Sequence, residues 1–177
     1  MSYRQWEISV TEISEMQQAG LAYWRSLPRQ PGTDMPLASD FDLMNIPARI
    51  LPTTHIVDVI DGGKDFRYRF WGSGFRDFLG YDGTGMSTAS LMPIDIREPV
   101  RKAYLDVVKA RSPLAMLSEF ARGGDVQRQG FQGFQQFIRF PLASRDGNVQ
   151  QVVSLVEFLM DYQQAQKLIA DLNNGRH

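Results

Sequence analysis

With 177 residues, an apolar fraction of 43% and a charged fraction of 22%, the chain has the size and composition of one globular domain with room for a sizeable core. A net charge of −1 and scattered Lys and Arg argue against a nucleic-acid partner and supply no polybasic patch for a membrane surface. The absence of Cys excludes disulfides, thiolate nucleophiles and thiolate metal sites, and makes the cytoplasm the expected compartment.

In chain order, the opening MSYRQWEISVTEISEM lacks an apolar signal core, and no window of about 18 apolar residues follows, so neither a Sec-type export signal nor membrane insertion is expected. Val10, Ile13, Met16, Gly20, Leu21, Trp24 and Leu27 recur at spacings of three and four, which predicts a helix over 10–27 with Thr11 as its cap. Pro28 and Pro31 end it. Residues 28–55 read as a Pro-rich irregular arm with a short helix near 42–46. HIVDVID (55–61) alternates apolar and acidic residues, and Gly62-Gly63 turns it into DFRYRF (65–70). Strict alternation places Phe66, Tyr68 and Phe70 on one face of this hairpin and Arg67, Arg69 and Trp71 on the other.

Gly72-Ser73-Gly74 breaks the strand ahead of a short helix, FRDFL, and a Gly-rich connection through 80–90. The strongest helical pattern is DIREPVRKAYLDVVKARSP, with Ile96, Val100, Ala103, Tyr104, Val107 and Val108 on one stripe. Asp95 and Glu98 resemble a capping box there, whereas Pro99 favours a start at Pro99 itself. Strands are expected over 114–121, 135–143 and 149–159, the last two joined by SRDGN, whose Asp-Gly accepts the positive φ a hairpin turn requires. A helix over 161–172 closes the chain, with Tyr162, Ala165, Leu168, Ile169 and Leu172 on one side.

The organisation is thus an N-terminal helix and arm (1–54), a core (55–160) and a C-terminal helix with its tail (161–177). Five strands with two hairpins imply an antiparallel sheet in an α+β fold, with the central helices on one face. The last strand is apolar on both faces, so the other face needs its own cover. The helix bearing Trp24 is the candidate, from this chain or from a dimer partner.

This order of elements resembles a PAS domain. "PLASRDGNVQQVVSLVEFL" is similar to the PAS ending, in which a Pro-bearing strand turns through Asp-Gly into the last strand. "LAYWRSLPR", "MPLASDFD", "IPARILPTTHIVDVID" and "DFRYRFWGSGFRDFLGYDGTG" together resemble the stand-alone bacterial PAS family typical of alphaproteobacteria, with its Trp-bearing N-terminal helix. The resemblance covers roughly residues 20–160. It implies a five-stranded antiparallel sheet in the order 2-1-5-4-3, helices flanking a possible pocket, and a sensory or protein-interaction role with no known catalysis. The resemblance implies a stand-alone domain with no fused effector, so any output is expected to pass by contact with another protein. The cofactor, like the identity of any ligand, is left unknown by the resemblance.

In a PAS arrangement, Phe70, Phe75, Phe78, Met86, Tyr104, Val108, Met116, Phe120 and Phe140 are candidates to ring a ligand cavity. The competing reading is that these side chains fill the space themselves, each stabilising by about 1.5–3 kcal/mol on burial. Leu21, Trp24, Arg67, Arg69 and Trp71 are interface candidates, Arg stacked on Trp being a common anchor; the competing reading is a solvated face under the N-terminal helix. His55 precedes the first expected strand, with only the terminal His177 besides, so a metal site is not indicated. Haem ligation by His55 is conceivable, a structural role more in keeping. No Ser-His-Asp set, phosphate-cradling Gly loop or carboxylate pair stands out, and an enzyme is not expected. Three functions compete: a sensor binding a small ligand and signalling to a protein, with homodimerisation through the flanking helices; a pure adaptor with a filled core; and a small α+β cone enzyme of isomerase or dehydratase type.

Overall fold

The computed structural model describes residues 4–121 and 132–159, together with 167, 169–172 and 174. Strands β1 (Arg4–Ile8), β2 (Thr54–Ile60), β3 (Asp65–Trp71), β4 (Leu114–Ala121), β5 (Gln132–Ala143) and β6 (Val149–Leu159) form one antiparallel sheet in the order β1-β4-β5-β6-β2-β3. From β3 to β4 this is the 2-1-5-4-3 order that the PAS resemblance implies. The sheet has six strands rather than five, because β1 adds itself to the edge of β4, from Arg4 opposite Glu119 to Ile8 opposite Ala115.

Helix α1 (Glu15–Ser26) starts later than the apolar spacing predicts. Ser14, not Thr11, is its cap: the Ser14 hydroxyl accepts from Gln17 N–H at 3.2 Å and the Gln17 side chain accepts from Ser14 N–H at 3.2 Å. This reciprocal capping box satisfies two groups that otherwise have no partner, which an isolated hydroxyl at Thr11 does not. Helix α2 (Ser73–Leu79) ends at Gly80 with φ 83°, and α3 (Arg97–Ala110) follows a 3-10 turn at Ile94–Ile96. Neither expected start of α3 forms. Glu98 holds Arg101 at 2.7 Å, and Pro99 sits in the first turn, where its missing N–H has no intrahelical acceptor to lose.

Apolar layers lie on both faces of the sheet. On one, Ile56, Leu117, Ile138, Phe140, Leu142, Val153 and Leu155 pack beneath Leu21 and Trp24 of α1, with Ile46 and Ile50 of the arm. The second cover therefore comes from the same chain. Gly20 lies against the strand: a Cβ there would collide with Leu155 Cδ1, the tip of a flexible side chain, which would have to shift. Buried Gln17 fixes the depth, donating to the carbonyls of Gln136 and Leu155, both at 3.0 Å, while the Trp24 indole donates to the Pro141 carbonyl at 2.9 Å. Ile169 and Leu172 rest on this same layer, and Tyr162, Ala165 and Leu168 of the expected terminal stripe lie outside the described residues. On the opposite face, Val57, Phe66, Tyr68, Phe137, Val152 and Val156 pack against Phe75 of α2 and Tyr104 and Val107 of α3.

Candidate functional site

The α3 face is not wholly apolar. Cross-strand pairing lines up Leu114, Arg139, Ser154, His55 and Trp71 in a single file over β4, β5, β6, β2 and β3. Four of these five side chains carry polar atoms, and all four are buried.

Arg139 is 5% exposed. Its guanidinium lies over the rings of Tyr104, at 4.0 Å from the centroid, and Phe137, at 4.3 Å. Its Nε donates to Ser154 Oγ at 3.0 Å, and Ser154 Oγ donates onward to the Tyr104 hydroxyl at 3.4 Å. Among the described residues no carboxylate pairs with it, and its buried Nη1 has no hydrogen-bond partner. Stacking on two desolvated rings contributes up to about 2 kcal/mol each, which offsets part of the cost of burying a cation without a counter-charge.

His55, beside it in the file, stacks on Phe75 with centroids 3.7 Å apart and meets Trp71 at 4.6 Å and Tyr68 at 5.3 Å. Burial first, and then the positive Arg139, push its imidazole well below the ordinary 6.5, so it is neutral at pH 7. Among the described residues its Nδ1 has no hydrogen-bond partner, nor do Trp71 Nε1 and Ser118 Oγ. Burial likewise pushes the Tyr68 phenol far above its ordinary range, with Tyr104 adding to the effect. The site thus holds one permanent positive charge, neutral donors and a wall of rings.

A loop closes over Trp71. Gly83 lies against the indole: a Cβ there would stand 2.5 Å from Trp71 Cε3. Gly85 N–H donates to the Tyr68 carbonyl at 2.7 Å and Tyr68 N–H to the Met86 carbonyl at 2.9 Å, so this loop pairs with the free edge of β3. The Gly-rich connection through 80–90 is therefore tied to the sheet by backbone hydrogen bonds.

The nine cavity candidates separate. Phe75, Tyr104, Val108 and Met116 belong to the layer on the α3 face. Met86 is half-buried at the edge, joined to β3 through its carbonyl. Phe70 and Phe140 lie on the opposite face, against the layer covered by α1. The side chains of Phe78 and Phe120 lie outside the described residues.

Phe70 and Trp71 exchange faces because of a β-bulge. Ile56 pairs with Phe70 but Val57 pairs with Tyr68, leaving Arg69 without an opposite residue. One extra residue inverts the alternation, so Tyr68 and Trp71 point the same way. Arg69, the displaced residue, reaches Asp58 at 2.7 Å. Of the interface candidates, Leu21, Trp24 and Trp71 are buried within the chain, while Arg67 and Arg69 are exposed.

Arg139 is not among the candidates the sequence offers, although a signal for it exists, and His55 enters there only as a structural residue or a haem ligand. QQFIRFPLA neighbours a strand apolar on both faces, and an Arg in the middle of a sheet covered on both sides has no solvent to reach on either. Among the described residues no cluster of three or more His, Asp or Glu is placed to hold a metal ion, and no helix is long and apolar enough to cross a membrane.

No protein-family model matches the chain, and no curated protein does. Among solved structures it is similar to a light-oxygen-voltage domain studied with a flavin analogue, at 17% identity over 70% of this chain and 87% of that one, with a TM-score of 0.48. It is similar to the PAS domain of BvgS from Bordetella pertussis, at 14% identity over 72% and 93%, TM-score 0.45. A sensory box sensor histidine kinase from Vibrio cholerae aligns at 15% identity over 61% and 83%, TM-score 0.42. The strand order on this chain's own backbone is what makes the fold PAS-like, with β1 as its addition.

Proposed function

We propose that this chain is a PAS-type sensory module, of the bacterial kind with a Trp-bearing N-terminal helix, that binds a small ligand on the α3 face of its sheet and acts in the cytoplasm without catalysis. The observation that carries the reading is the set of buried polar atoms left without partners: His55 Nδ1, Trp71 Nε1, Ser118 Oγ and Arg139 Nη1. Buried donors without acceptors cost about 1–3 kcal/mol each, so a chain keeps several on one sheet for a reason other than stability. A ligand favours the arrangement that satisfies them, and the resulting shift in population changes the exposed surface offered to a second protein or a second copy.

A specific observation favours one rival. His55 on Phe75 at 3.7 Å and Phe66 on Tyr104 at 5.2 Å are dense ring contacts, suited to an adaptor with a filled core. Mass spectrometry of the purified protein, native and then denatured, separates the two. A small molecule released on denaturation supports the sensor. The mass of the protein alone, at one or two copies, favours the adaptor and directs attention to its partners.

A further inference from the structure

Resting on that ligand-binding reading, we infer that the ligand is a small aromatic monocarboxylate, with Arg139 as its anchor and the Trp71 indole N–H as a second donor. Arg139 is a buried cation for which the described residues provide no carboxylate, and its unused Nη1 is a donor suited to a carboxylate oxygen. Across the same file the other unpartnered groups are neutral: the indole N–H of Trp71 donates only, and the imidazole of His55 donates from Nδ1 in one of its tautomers. One positive charge with neutral donors matches a monoanion. A phosphate dianion calls for a second cation or a nest of backbone N–H groups, and the described residues place neither beside Arg139.

The rest of the wall selects the body of the ligand. His55 stacks on Phe75 with centroids 3.7 Å apart, and Trp71 is tilted against both at 4.6 and 5.6 Å, so the surface beside the charge is aromatic. A planar ring bearing its carboxylate at one end satisfies both features at once. It also gives the signal a route. Gly83 rests on the Trp71 ring, and its loop is bonded to β3 through Gly85 and Met86, so a ligand that draws the indole towards itself moves that loop.

The test titrates 15N-labelled protein with benzoate, benzamide and inorganic phosphate at constant ionic strength, following the Trp71 indole N–H resonance, assigned with Trp71→Phe. Benzoate is expected to move this resonance saturably, with benzamide and phosphate leaving it in place. Arg139→Met, which keeps an apolar stem in the layer, is expected to weaken benzoate about tenfold or more, and Arg139→Lys to restore part of the affinity. If Arg139→Met fails to fold, the comparison of benzoate with benzamide on the unaltered protein decides. Equal binding of benzamide or phosphate, or unchanged benzoate binding in folded Arg139→Met, overturns the inference. A neutral or cationic compound released from the denatured protein overturns it while leaving the sensor reading intact. No response to benzoate together with no released compound overturns both.

Discussion

His55 makes the stability of the fold depend on pH in a direction opposite to that of an ordinary paired histidine. In the folded protein, burial and the neighbouring Arg139 keep its imidazole neutral far below 6.5, whereas in the unfolded chain it takes up a proton near that value. Below 6.5 the unfolded state therefore binds more protons, and stability is lost as the pH falls. Above 6.5 the loss is absent. Going from about pH 7.5 to about pH 5.5, an unfolded-state pKa of 6.5 with no matching uptake in the fold gives a loss of about 1.4 kcal/mol. His55→Phe keeps a ring against Phe75 and Trp71 and should flatten this dependence. His177 lies outside the described residues, so both proteins carry His177→Gln, which leaves His55 as the only histidine in the reference. Asp65 does not interfere: burial would raise its carboxyl, but hydrogen bonds from Ser87, the Phe66 N–H and Thr88 outweigh that and lower it, so its contribution is lost only at pH below 3.8. The assay is urea unfolding at each pH, with the m-value checked for constancy. If the reference and His55→Phe lose equal stability over this range, or the reference gains stability on acidification, the placement of His55 is wrong.

Other substitutions test the packing. Gln17→Leu strips two buried strand carbonyls of their donor and should cost about 2–4 kcal/mol in urea unfolding; a loss below about 1 kcal/mol would mean that α1 does not dock on its own sheet. Gly72→Ala drives a Cβ into the backbone carbonyls of Leu51 and Pro52, which have no side-chain freedom to yield, and should cost about 3 kcal/mol in thermal unfolding. An unchanged melting temperature would refute that close approach. Gly83→Ala should displace the indole of Trp71, shifting its N–H resonance at a cost of about 1–3 kcal/mol; an unmoved resonance would separate the 82–86 loop from the site.

Much of this molecule is determined by period and punctuation alone. The alternation in HIVDVID and DFRYRF, the Asp-Gly turn at 146–147 and the apolar stripe from Val100 to Val108 specify β2, β3, the β5–β6 hairpin and α3, because local steric preferences and one-sided burial act over a few residues. The two-faced apolar pattern of 149–159 also demands a second cover. What period cannot determine is which face meets which helix. Alternation sets Phe137 and Arg139 opposite Ile138 and Phe140, yet only the pairing of Arg139 with Ser154 beneath Tyr104 turns the cation, and not Phe140, towards α3. The bulge at Arg69 inverts Phe70 and Trp71 for a reason absent from their own sequence: β2 and β3 must match register with each other while β2 also pairs with β6. β1 is short and gains its hydrogen bonds only from the free edge of β4, so nothing in RQWEI by itself marks it as a strand. Period follows from local geometry, but facing follows from register, and register is a property of strands far apart in the chain.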